Sequence, residues 1–310
     1  LMSEQRYSIY TATLAPASPA AVIDFPSIDA HRWTPNATKA PYRPGGSVDK
    51  AFQGLSIAMP MHEFETCDLT TVLANIDPLV GFSAGLGATF RRIRRKDNDV
   101  FESLAATDKH VVFNSAYGFA CVKDISVRQD DAAGAKATVM YQPLSSDGLA
   151  VPETISLGEI DTTTDPAYVS RFFMGPVAVD QTQVPSVDGF TVDFGKEFSA
   201  KLFNGSTFPR CGSIVSRDPS FKITCAASDF SVTYRAFTNS DTVYLYLMKE
   251  SASTANSRVA KATAEHIKFT MTGEFSPDED SVSQNDDASI SFTVDGVGTL
   301  AVSTTSTVDY

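Results

Sequence analysis

The chain has 310 residues, enough for one large β domain or two medium ones, and carries 25 Lys and Arg against 37 Asp and Glu, a net charge of −12. That balance opposes a broad phosphate-binding surface, and 43% hydrophobic with 20% charged residues excludes a disordered chain. No run of about 18 apolar residues is present for a transmembrane helix, and residues 1–16 lack the basic segment and apolar core of a secretory leader.

Taken along the chain, residues 33–53 form a long Pro- and Gly-rich insertion with Pro35, Pro41, Pro44, Gly45 and Gly46. Leu69, Val72, Leu73 and Ile76 make an i, i+3, i+4, i+7 stripe, so a helix is expected there, capped by Asp68 and stopped by Pro78. A weaker helix candidate lies within residues 253–265. Strand signals dominate elsewhere. Apolar and polar residues alternate in 190–194, 221–225, 243–247, 267–271 and 290–294, the pattern of antiparallel sheets with one wet face. A second long insertion, 195–210, holds the turn Asn204-Gly205 and three aromatic residues, Phe198, Phe203 and Phe208. Either it folds onto its own barrel or it is an arm that reaches a neighbour.

An internal repeat organises these elements. Ser56-Ile57 and Phe64 recur as Ser213-Ile214 and Phe221 at an offset of 157, and Thr66-Cys67 as Thr224-Cys225 at 158. His110-x-x-Phe113 recurs as His266-x-x-Phe269 at 156; Ser126-Val127-x-Gln129 as Ser281-Val282-x-Gln284 and Thr138-Val139 as Thr293-Val294 at 155. The matches are collinear and half of 310 is 155. The chain therefore divides into a first unit, 1–160, and a second, 165–310, joined by the polar stretch 161–166. The expected fold is mainly β: two tandem β-sandwich or barrel units, each with a short flanking helix and a long loop.

Motifs for chemistry are weak. Gly81-Phe82-Ser83-Ala84-Gly85 spells a nucleophile elbow, but no strand enters it and no helix leaves it, so a serine hydrolase is a poor fit. His31, His62, His110 and His266 are too scattered to suggest a metal site, and the matching repeat positions of the last two favour a structural role. Asp278-Glu279-Asp280 with Asp286-Asp287 lacks the glycine and glutamate of a calcium loop. No nucleotide fingerprint occurs, so no cofactor is expected. Cys67, Cys121, Cys211 and Cys225 form no CxxC pair and read as small buried residues, a Cys211–Cys225 bridge being the alternative. The sequons at Asn36 and Asn204 mean little without a secretory route. Arg91, Arg92, Arg94, Arg95 and Lys96 form the one basic cluster in an acidic chain, either a solvated hairpin tip or an ionic contact with another subunit.

Without a catalytic constellation, self-association is the function class to test. The second half resembles tail tube proteins of long-tailed bacteriophages, in the version with a duplicated tube domain. The resemblance lies in the strand 187–194, the long loop 195–210, the strand 221–225 and a closing hairpin from Phe269 to Val294. It implies trimeric rings with pseudo-sixfold symmetry and inner sheets joined around a lumen. It also implies long loops bridging stacked rings, a passive conduit for genomic DNA, and tape measure and tail terminator proteins as partners. Residence in the virion tail after assembly in the host cytoplasm follows from the same resemblance, with no membrane partner. An acidic lumen would let DNA slide without sticking. The Pro-rich loop 33–53 departs from the pattern. Other readings are a capsid decoration or baseplate protein, or a β-sandwich adhesin or carbohydrate-binding module, for which the sole Trp33 gives little aromatic surface.

Overall fold

A computed structural model describes residues 6–16, 21–42, 52–81, 86–96, 100–160, 165–226, 240–252, 257–281 and 289–309. The first half runs β1 (Arg6–Ala15), β2 (Ile23–Phe25), β3 (Ala30–Thr34), β4 (Ala37–Tyr42), β5 (Phe52–Ala58) and β6 (Met61–Thr66), then α1 (Leu69–Asn75). β7 (Gly87–Arg95), β8 (His110–Ser115), β9 (Gly118–Arg128), β10 (Lys136–Pro143) and β11 (Glu153–Gly158) follow. The second half runs β12 (Phe172–Val179), β13 (Thr182–Gln183), β14 (Val187–Asp193), β15 (Lys196–Lys201), β16 (Cys211–Arg217) and β17 (Ser220–Ala226). It closes with β18 (Ser240–Lys249), β19 (His266–Ser281), β20 (Ser289–Gly296) and β21 (Ala301–Ser306).

The chain is mainly β, in large antiparallel sheets. β11-β8-β7-β1-β2 form one sheet. β3-β6-β10-β9 begin a second, which continues through β14-β17-β20-β19-β18-β12-β13, with β21 also on β19. The alternating segments named above lie on β14, β17, β18, β19 and β20, and their apolar residues Phe190, Val192, Phe221, Ile223, Val243, Leu245, Phe269, Phe292 and Val294 enter one continuous core. Apolar residues of both halves belong to that core, from Ala12 to Leu300.

Read along their sheets, both halves give one strand order twice. β11-β8-β7-β1-β2 beside β3-β6-β10-β9 corresponds to β21-β19-β18-β12-β13 beside β14-β17-β20-β19. β19 fills two places because its start pairs with β18 and β21 while its later part, Gly273 to Ser281, pairs with β20. In the first half a turn at residues 116–117 divides that strand into β8 and β9.

Two histidines do the same job in the two halves. His110 Nδ1 accepts the Arg94 N–H of β7 at 3.2 Å, and its Nε2–H donates to the Ser103 carbonyl at 2.8 Å. His266 Nδ1 accepts the Lys249 N–H of β18 at 3.2 Å, and its Nε2–H donates to the Ala260 carbonyl at 3.0 Å. Both rings are fully buried, and each ties the loop before its strand to the strand beside it.

Several expectations are corrected. The two insertions contain paired antiparallel strands, β4 with β5 and β15 with β16, because each stretch holds enough strand residues to pair with itself. Trp33 lies on β3, not in a loop. Residues 257–265 form turns and a bridge at Arg258, since their apolar stripe is too thin to pack a helix. The counterpart of α1, residues 227–234, lies outside the described residues, as do the Ser83 motif at 82–85 and the joint at 161–164. α1 has the expected Asp68 cap, whose carboxylate accepts the Thr71 N–H at 3.1 Å, and ends at Asn75 ahead of Pro78. The Ser126/Ser281 match is two residues out of register: pairing through β10 and β20 puts Glu279 in the place of Ser126. All four cysteines are free; three are buried, and Cys211 is partly so.

Replacing His266 with Leu leaves the Lys249 N–H and the Ala260 carbonyl without their partner. We expect a loss of about 2–4 kcal/mol in urea unfolding, with a loss of the same order for His110→Leu.

Candidate functional site

The two halves meet along β9 and β14. Residues Gly189 to Asp193 pair with Arg128 to Asp124, turning two four-strand arrays into one sheet. Each partner has a counterpart in the other half with that edge open. β3, counterpart of β14, pairs only with β6 among the described residues. β19 beyond Phe275, counterpart of β9, pairs only with β20 among the described residues. Among the described residues the chain thus holds one closed seam and, at the counterpart positions, two strand edges without a further strand.

The hairpin β15–β16 clasps this seam. Its root is fixed by Gly195 at φ +55°, where a Cβ would sit 1.8 Å from the Asp218 carbonyl oxygen. Its body lies on the first half: Phe198 stacks on Phe119 with ring centroids 5.0 Å apart. At its tip the Ala58 N–H donates to the Thr207 carbonyl at 3.0 Å, and the Thr207 and Phe208 N–H groups donate to the Gly148 carbonyl at 2.9 and 3.0 Å. Ser145 N–H donates to the Pro209 carbonyl at 2.8 Å. Phe208 is buried; Phe203 stays 50% exposed under the Arg210 guanidinium at 5.2 Å. The insertion, expected either to fold onto its own barrel or to reach a neighbour with Phe198, Phe203 and Phe208, packs on the preceding half of its own chain through Phe198 and the tip around Phe208. The first residue of β15, Lys196, is half-buried with its amine out of solvent over the Phe194 ring, and burial pushes its pKa down to about 8.

The basic cluster does not act as one patch. β7 alternation puts Arg92 on the core face with Ala88 and Phe90, and Arg91 and Ile93 on the other; Arg91 and Arg92 are partly buried. Arg91 donates to Thr13 Oγ1 at 2.7 Å. Arg95 lies over the Phe101 ring at 5.3 Å. Arg92 ends a buried relay that begins on the open β3 edge. Its Nε–H donates to His31 Nδ1 at 3.1 Å, and its guanidinium lies 4.9 Å from the Phe113 centroid. His31 Nε2–H donates to His62 Nδ1 at 3.0 Å, and His62 Nε2–H donates to Glu153 Oε2 at 2.6 Å. Trp33 Nε1–H donates to the other Glu153 oxygen at 2.6 Å. Only one pair of tautomers satisfies this chain, with both imidazoles neutral. Sequence spacing hid the relay because its members come from β3, β6, β7 and β11. The second half fills the corresponding places of His31, Arg92 and Trp33 with Val192, Leu247 and Phe194, all buried.

The bare face of the large sheet carries a row of acids across its strands. Glu274, Asp295, Ser220, Asp193, Asp124, Thr138, Glu65 and Ala30 are successive cross-strand partners. Thr138 Oγ1–H donates to Asp124 Oδ1 at 2.8 Å; burial, with help from Asp193, holds the Asp124 carboxyl above its usual pKa. The adjacent row is Ser276, Thr293, Lys222, Thr191, Ser126 and Lys136, so the face is banded rather than uniformly acidic. Among the described residues no group of His, Cys, Asp and Glu side chains forms a metal site.

Compared with protein-family models and with curated proteins, the chain matches none.

Two outcomes follow. Burial pushes the His31 pKa down to about 2, with Arg92 and His62 adding to the effect, and burial lowers that of His62 despite Glu153. Unfolded imidazoles titrate near pH ~6.5, so the unfolded chain takes up protons that the folded one refuses. Stability is complete above that pH and falls below it, by up to about 1.4 kcal/mol per pH unit for each imidazole. His31→Val should flatten the melting temperature between pH 7 and pH 5. Gly148 has φ +83°, and a Cβ there would meet Ser206 Oγ at 2.2 Å. Gly148→Ala should free the arm, read as faster tryptic cleavage at Lys201 and Arg210 in a chain that still unfolds cooperatively.

Proposed function

We propose that this chain is a structural subunit that joins head to tail into closed rings, and that these rings stack as the tail tube of a long-tailed bacteriophage. One observation carries the reading. The β9–β14 seam is closed within the chain, while among the described residues β3, at one end of the large sheet, pairs only with β6, and β19 beyond Phe275 pairs only with β20. Complementary open edges on one molecule make a heterologous contact, which closes into a ring when the rotation allows and otherwise grows as a filament. Open edges are an aggregation hazard unless a partner strand covers them.

The shared strand order and the paired histidine latches support two copies of one unit. Three chains then supply six units, as the resemblance implies. The five-stranded sheet and its counterpart cover one face of the large sheet, so the banded acidic face becomes the lumen wall. Glu274, Asp295, Asp193, Asp124 and Glu65 would line it as a belt of negative charge, over which DNA phosphates pass without adhering. Tape measure and tail terminator proteins would contact the two ends of such a tube, and the virion tail is its location. Among the described residues no helix is long and apolar enough to cross a membrane.

Pairing through β6 and β17, and through β10 and β20, makes Arg32 the counterpart of Asp193 and Ser276 that of Asp124. Asp193 and Asp124 are partners across the closed seam. With Cys211→Ser as background, Arg32→Cys with Ser276→Cys and a short bismaleimide should give covalent dimers and higher multimers. Negative-stain microscopy of the unmodified protein should show rings or cylinders. A chain that stays monomeric at millimolar concentration overturns the reading; discrete oligomers that never stack favour a decoration or baseplate protein.

A further inference from the structure

Among the described residues, two buried side-chain nitrogen or oxygen atoms lack a hydrogen-bond partner, Thr11 Oγ1 and Lys196 Nζ. The second is the more consequential. A charged amine taken out of water without an acceptor loses hydration that nothing replaces. Lys196 stands where the β15–β16 hairpin, the arm that clasps the seam, leaves β14, one residue past the Gly195 turn.

No neighbour neutralises this amine by contact. Arg217 of β16 is its direct partner across the hairpin, so a proton on Lys196 sets two positive charges side by side. Cys121 of β9 faces it as a neutral thiol, because burial raises the thiol pKa. Asp77, after α1, acts on it from beyond hydrogen-bond reach, and the Asp77 carboxylate accepts the Leu79 and Val80 N–H groups at 2.7 and 3.0 Å. The other charged groups near the root are engaged elsewhere. Asp193 Oδ1 accepts the Gly195 N–H at 2.7 Å, the Lys123 amine donates to Glu63 at 3.3 Å, and Glu197 Oε2 accepts the Ser216 hydroxyl at 3.2 Å. What remains for the Lys196 nitrogen is the face of the Phe194 ring at 5.3 Å, which attracts a cation less than a carboxylate would.

We propose that Lys196 is a proton-sensitive catch of the arm: the arm closes more tightly over the seam when this amine is neutral, and a proton on it shifts the arm toward release. The link from amine to arm is short. Lys196 and Phe198 flank the exposed Glu197 on β15, and Phe198 stacks on Phe119, two residues from Cys121 on β9. Returning the ammonium to water therefore draws the Phe198 ring from its seat. The direction follows from where the amine titrates. A lysine in water titrates near pH ~10.4; in the closed arm burial lowers this to about 8. Between those values the closed arm holds fewer protons than the open one. Closure therefore strengthens as pH rises from 8 toward ~10.4 and stays at its weaker, constant level well below 8. The catch belongs to a single chain and operates whether or not chains assemble.

The experiment follows tryptic cleavage at Lys201 and Arg210 in the full-length protein. Each rate is divided by that of an unstructured peptide of the same residues at the same pH, in the regime where opening is fast and cleavage reports the open population. From pH 7 to pH 9 the normalised rate should fall about tenfold. Lys196→Met, which keeps the length without the charge, should be cleaved about tenfold more slowly than the wild type at pH 7, or slower still, with no further fall as pH rises. Lys196→Arg, charged throughout this range, should be cleaved as fast at pH 9 as at pH 7. A wild-type rate that does not fall, a fall that Lys196→Arg retains, or a Lys196→Met arm cut as fast as the wild type at pH 7 overturns the catch. If Lys196→Met fails to fold, the wild-type profile and Lys196→Arg decide between the outcomes.

Discussion

An open strand edge presents a row of N–H and C=O groups that only another strand satisfies along its length, and the architecture turns on where that pairing stops. Had β9 and β14 remained apart, the chain would be two sandwiches on a tether. Their pairing merges two four-strand arrays into one sheet and fixes how the halves sit. Every other contact between the halves, including the Phe198 stack on Phe119 and the Gly148 turn that receives the arm, presupposes that register. Among the described residues β3 and the end of β19 have no second partner strand: an array of this kind has two unlike edges, and joining two arrays through one of each leaves the others.

The halves share an order of strands without sharing a core chemistry. At the positions of His31, Arg92 and Trp33 the second half buries Val192, Leu247 and Phe194, so nothing in the fold demands polar groups there. Burying a guanidinium, two imidazoles and a carboxylate is favourable only while each donor meets its acceptor. Trp33 and His62 supply both Glu153 oxygens with donors, and Arg92 finds His31. The satisfied chain specifies one placement of β3, the strand whose outer edge is bare. Apolar packing would fix that placement less sharply, because aliphatic side chains slide at lower cost than hydrogen bonds misalign.

Much of the fold was legible because period-two alternation is a local property. The strands at 190–194, 221–225, 243–247, 267–271 and 290–294 could be read directly, as could the helix at Leu69 with its Asp68 cap. The paired histidines were visible as a repeat, and their shared hydrogen bonds give the repeat a physical cause. The pairings β4–β5 and β15–β16 were hidden under proline and glycine, which mark turns but do not reveal that flanking residues pair. The relay was illegible for a different reason. Its members lie on four strands separated by up to 122 residues, from His31 to Glu153, and only the sandwich brings them together. The arginine run misled because charge counting ignores strand direction: successive residues of β7 face opposite sides.

One difference between the halves bears on mechanics. β19 runs from its pairing with β18 and β21 to its pairing with β20 as one strand of 16 residues, whereas its equivalent is cut at residues 116–117. A continuous backbone transmits tension between those pairings through covalent bonds; a turn yields by rotating a few dihedrals. Flexure of any polymer made from this protein would concentrate at that turn, once per chain. Its compliance would then repeat once with each polypeptide and not once with each half.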